Sequence, residues 1–93
     1  MKVTRISCYR AKTGAEEALQ TALLALAPAI ANSEGCGKVR VLSSLDDPAE
    51  FALYEEWKSI EAHRKAAAQF PVDLIARVND LIDAPPRAND YSG

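Results

Sequence analysis

Val3, Ile6, Cys8 and Tyr9 are interleaved with short polar residues, so Lys2 to Ala11 reads as a strand with side chains of interest on both faces. Thr13-Gly14 ends it. From Ala15 the apolar period lengthens: Leu19, Leu23, Leu26 and Ile30 recur at helical spacing, and Glu16 and Glu17 sit in the first turn, where the helix dipole favours them. The helix is expected to finish near Asn32-Ser33-Glu34-Gly35, with Gly35 as a left-handed stop. Pro28 falls inside it and removes one hydrogen bond to the Leu24 carbonyl, which predicts a kink or a break.

Lys38 to Ser44 reads as a short strand carrying Val39, Val41 and Leu42, and Asp46-Asp47-Pro48 as a turn. Phe51 to Trp57 then alternates strictly. Phe51, Leu53, Glu55 and Trp57 point one way; Ala52, Tyr54 and Glu56 point the other. Two strands around a short polar turn predict an antiparallel hairpin. Ser59 is the expected N-cap of a helix running to about Gln69, and Pro71 opens a further helix whose apolar face is Leu74, Ile75, Val78, Leu81 and Ile82. Ala84-Pro85-Pro86 stops it, leaving Arg87 to Gly93 as an optional last edge strand.

The order strand, helix, strand, strand, helix, strand predicts an α+β fold of the ferredoxin-like split β-α-β type, an antiparallel sheet with helices on one face. The other face stays open unless a second copy covers it. At 93 residues the chain suits one core, and residues 1–93 are expected to be a single domain. A core this small often needs added support, and a homodimer is the default source of it.

Composition narrows the function classes. Apolar residues make up 48% and charged residues 26%, which excludes a disordered chain. The net charge of −2, with both signs mixed, provides no basic face for nucleic acid. No apolar run is long enough to span a bilayer, and MKVTRISCYR does not resemble a signal peptide, so a cytoplasmic location without membrane association is expected. Cys8 and Cys36 are widely separated and read as free thiols, and a single His makes a metal site implausible. No Gly-rich phosphate loop is present, so no nucleotide or flavin cofactor is expected.

Chemistry concentrates in Phe51 to His63. Glu55 and Trp57 share a strand face with Phe51 and Leu53, and a carboxylate beside that much apolar surface must be paired or border a wet cavity. One reading pairs Glu55 with Arg5 or Arg40 and leaves Trp57 as core; the other makes both part of a site. His63 shares a helical stripe with Ala67 and Phe70 and is either a satisfied core residue or a base facing inward. Tyr9 and Tyr54 could offer phenols to a ligand and Arg40 could hold an anionic oxygen; packing and surface pairing are their alternatives.

Lys12-Thr-Gly14, Glu34-Gly35-Cys36, Asp46-Asp47-Pro48, Tyr54-Glu55-Glu56-Trp57, Ser59 and Ala62-His63, in this order, resemble the antibiotic biosynthesis monooxygenase family of small dimeric α+β barrels. The resemblance implies a cofactor-independent monooxygenase acting on a quinol, an anthrone or a similar small aromatic. Trp57 would contact the substrate, His63 or Glu55 would be the base, and Arg40 or Tyr54 would steady the oxyanion. Members often carry a second His one turn after Ala-His, where this chain has Ala66. The haem-degrading branch uses an Asn on the first strand, absent from Ile6-Ser7-Cys8, so haem is not expected. The Ala at position 66 keeps two alternatives open: a non-catalytic dimer that binds or senses a small apolar molecule, and a purely structural dimer.

Overall fold

The structure is a computed structural model and describes residues 2–93. Strand β1 (Val3–Arg10) is followed by helix α1 (Glu16–Ala31) and the hairpin β2 (Cys36–Ser43) and β3 (Glu50–Trp57). Helices α2 (Ile60–Ala67) and α3 (Val72–Leu81) come next, and β4 (Arg87–Ser92) closes the chain. The four strands form one antiparallel sheet in the order β2-β3-β1-β4. This is the ferredoxin-like arrangement expected from the order of elements, with the tail adopted as an edge strand.

Alternation along β3 organises the core. Phe51, Leu53, Glu55 and Trp57 are buried, while the residues between them are half-buried. Leu19, Leu23, Leu26 and Ile30 of α1 and Val78 of α3 pack in the same cluster as Phe51, Leu53 and Trp57. At roughly 1.5–3 kcal/mol for each large apolar side chain buried, this seam is the main term holding α1 to the sheet. On the opposite face Ile6, Cys8, Leu42, Ala52 and Tyr54 lie outside the core cluster, so within one chain that face stays open, as expected for helices packed on one side.

Several local expectations need correction. Helix α1 runs through Pro28 without a break. Pro28 and Leu24 lie on its exposed side, where water can serve the carbonyl that loses its partner. The helix ends at Asn32 in a right-handed cap, not at Gly35. Gly35 does take positive φ, at 84°, but in the turn leading into β2. A Cβ there would lie 2.8 Å from the Cβ of Ala62, so this turn also sets how closely α2 approaches. Helix α2 ends two residues before Gln69, and Pro71 caps α3 instead of lying inside it. Ser59 accepts the Ala62 amide at 3.1 Å as the expected N-cap.

Candidate active site

Because side chains alternate along a strand, register decides which of them can meet. In β1–β3, Val3 pairs with Trp57, Arg5 with Glu55 and Tyr9 with Phe51; in β1–β4, Arg5 pairs with Asp90. Arg5, Tyr9, Glu55, Trp57 and Asp90 therefore share the helix-side face of the sheet. His63 reaches the same end from α2, its ring edge-on to the Trp57 indole with centroids 5.2 Å apart and planes at 76°. Phe70 backs His63 at 6.4 Å.

Glu55 is the unusual member. It is only 3% exposed, and among the described residues its one side-chain hydrogen bond is received from the Trp57 indole N–H at 2.9 Å. Neither Arg5 nor Arg40 pairs with it. Arg5 Nη1 instead donates to both carboxylate oxygens of Asp90, at 3.0 and 3.1 Å. Burial pushes the Glu55 carboxyl above its ordinary value, while the indole donor and the Arg5 charge pull it back. Burial and the Arg5 charge hold His63 below the usual imidazole value, so its ring is neutral at neutral pH. Tyr9, half-buried beside them, is raised by burial and then by Glu55. Cys36, paired with Trp57 in β2–β3, is pushed up to about 11 by burial and then by the two neighbouring glutamates, so it remains a thiol.

The expected site residues thus separate into two groups. Glu55, Trp57, His63 and Tyr9 come together on one face. Tyr54 and Arg40 are cross-strand neighbours on the other face, so the sheet lies between them and Glu55. Tyr54 donates to Glu56 at 2.7 Å, and this contact raises its phenol. The Trp57 indole was expected to serve a substrate; it is 1% exposed and is already given to Glu55. Arg5 and Asp90 belong to the cluster as well. In the sequence Arg5 stands out only as a partner for Glu55, and nothing marks Asp90.

A cavity of about 620 Å³ lies beside this cluster, between the C-terminal end of α1 and α2. Ala62, Ala66 and Phe70 form its apolar wall, with Lys58, Lys65 and Glu34 among its polar lining. Tyr9, Glu55, Trp57 and His63 do not line it; Phe70 is the side chain common to the cavity and the His63 ring. Among the described residues no group of three or more His, Cys, Asp or Glu could hold a metal ion, and no helix is long and apolar enough to cross a membrane.

Residues 3–69 match the family model for antibiotic biosynthesis monooxygenase. Solved structures with the same fold include one from Mycobacterium tuberculosis, at 21% identity and a TM-score of 0.87 over 100% of this chain and 95% of that one. A candidate antibiotic biosynthesis monooxygenase from Nitrosomonas europaea shares 24% identity with a TM-score of 0.90, over 99% of this chain and 89% of that one. SnoaB from Streptomyces nogalater, a cofactor-independent oxygenase, shares 16% identity with a TM-score of 0.81, over 99% and 92%. No curated protein matches the chain by sequence.

Proposed function

This chain belongs to the antibiotic biosynthesis monooxygenase family, and from that premise we propose that it is a cofactor-independent monooxygenase oxidising a quinol, an anthrone or a similar small electron-rich aromatic. The observation that carries the reading is Glu55: a buried carboxyl held by one neutral donor, with the neutral His63 ring against the same indole. Such a carboxylate is a stronger base than an exposed one, as proton abstraction from a weakly acidic substrate requires.

The reaction balances without a further reductant. Glu55, or His63 in its place, takes a proton from the substrate. The resulting anion passes one electron to dioxygen, the radical pair joins to form the new C–O bond, and the peroxide takes the proton back from the base. Loss of water from the hydroperoxide leaves a carbonyl, so an anthrone methylene and O2 give a ketone and H2O. The protein supplies the base, excludes water and places Tyr9 at the edge of the site; Trp57 holds Glu55 in place. Arg40 and Tyr54 would touch a ligand only from the open face of the sheet.

That open face is the surface we assign to a second copy of the chain, which would complete a dimeric α+β barrel with residues 1–93 of each copy as one domain. Ile6, Cys8, Leu42, Ala52 and Tyr54 are its apolar content. Sedimentation at micromolar concentration is expected to give twice the 10.1 kDa chain mass; a monomer would overturn the assignment.

Oxygen uptake by purified protein with a panel of quinols and anthrones, corrected for autoxidation, tests the activity. Uptake above the blank is expected. A second reading, a binding or sensing module, is favoured by Ala66, which leaves a methyl group on the wall of the 620 Å³ cavity where the family often carries an imidazole. Saturable binding without uptake would select it, and neither binding nor uptake would overturn both.

A further inference from the structure

Arg5 stands between two carboxylates. Register sets it opposite Glu55 on β3 and opposite Asp90 on β4, with all three on one face of the sheet. Its guanidinium goes to Asp90, and Glu55 is left to the indole N–H. The choice has chemical consequences. A carboxylate gripped by a guanidinium loses about 1–3 pH units of basicity, whereas one in apolar surroundings with a single neutral donor gains basicity.

Resting on the reading of Glu55 as the base, we propose that Asp90 on the C-terminal edge strand is a positioning residue: it holds Arg5 off Glu55 and so keeps Glu55 able to accept a proton. The groups facing Glu55 leave this control to few members. Tyr9 from β1 and Cys36 from β2 are both raised and stay neutral through neutral pH, and His63 from α2 is neutral there. Arg5 and Asp90 are then the fixed charges facing Glu55. Burial raises Glu55, the Arg5 charge offsets part of that from across the strand, and the Asp90 charge adds a smaller direct rise. Moving the cation into contact would offset more of it.

The Arg5–Asp90 pair also suits this role better than a structural one. Every residue of β4 is exposed, and the two side chains are 24% and 34% exposed. An ion pair so open to solvent is expected to hold the strand only weakly. Its neighbour Glu55, in contrast, is buried where charges act strongly.

Carboxyl carbon NMR titration of Glu55, assigned with Glu55→Gln, tests the proposal in the wild type, Asp90→Asn, Arg5→Met and the double variant. Asp90→Asn is expected to lower the Glu55 midpoint by about one pH unit, a tenfold loss of proton affinity. Arg5→Met is expected to raise it, and in that background Asp90→Asn should lower it by less than in the wild type, through the direct repulsion of Asp90 alone. Arg5→Lys, which keeps the cation, should restore a midpoint near that of the wild type. An Asp90→Asn shift of equal size with and without Arg5 would mean that Asp90 acts directly through space, and would overturn the proposal; so would an unmoved midpoint. The acid limb of oxygen uptake against pH should follow the midpoint. Midpoints that move while that limb stays fixed would remove Glu55 as the base and leave the control by Arg5 and Asp90 standing.

Discussion

Glu55→Gln is expected to reduce substrate-dependent oxygen uptake by about 100-fold or more, the usual scale for losing a general base, while making the folded chain more stable at neutral pH. The two effects have one origin. Glu55 is buried, and its folded-state value lies above its ordinary 4.5 chiefly because burial opposes the charged form. Between those two values the native state binds more protons than the unfolded chain, so stability falls as pH rises through the window. The contribution is fully present below the ordinary carboxylate value and is lost once pH passes the raised one. Glutamine cannot ionise and can still accept the Trp57 N–H. Its stability relative to the wild type should therefore grow with pH across that window and level off above it. His63 works in the opposite sense, since its lowered value makes stability rise with pH up to about 6.5, but that slope is common to both proteins and cancels in the difference. Urea unfolding of the pair, below the carboxylate range and near neutrality, reads the difference directly. A variant less stable than the wild type at neutral pH would mean that Glu55 is ionised against a cation, and would remove it as the base.

The sheet and the helix faces were legible because they depend on local period. Leu19, Leu23, Leu26 and Ile30 gave the buried stripe of α1, and strict alternation from Phe51 to Trp57 gave both the hairpin and the inward face of β3. That same alternation put Tyr54 on the side opposite Glu55. Arg40 follows only from its register with Tyr54, which a single strand pattern does not contain. Helix ends were less legible: Gly35 has the backbone of a helix stop and serves a turn, and Pro28 is tolerated because its lost bond faces water. The Arg5–Asp90 pair was out of reach for a different reason. The two residues are 85 positions apart, and β4 is a polar segment without an apolar signature that would fix its register before the fold is known.

Trp57→Phe is expected to raise the midpoint of Glu55 and to cut uptake near neutral pH about tenfold or more, with a stability loss of roughly 1–3 kcal/mol from the carboxyl left without a donor. Among the described residues the indole N–H is the only side-chain hydrogen bond Glu55 receives, and it is the largest influence holding that carboxyl down. Phenylalanine keeps most of the ring in the core and removes the donor. Alanine would be a poor choice: emptying a site that is 1% exposed typically costs 3–5 kcal/mol, comparable with the whole stability of a small domain. Phenylalanine thus separates two roles for the indole. If Trp57 serves by holding Glu55, the acid limb of the uptake profile should move to higher pH, and much of the activity should return above it. The Glu55→Gln background should then make Trp57→Phe nearly silent, because the two changes act on one proton acceptor. If Trp57 serves by touching the substrate, the loss should be the same at every pH and should persist in that background. The 2.9 Å bond from indole to carboxyl favours the first outcome, since an N–H already given to Glu55 has no second hydrogen to offer a ligand.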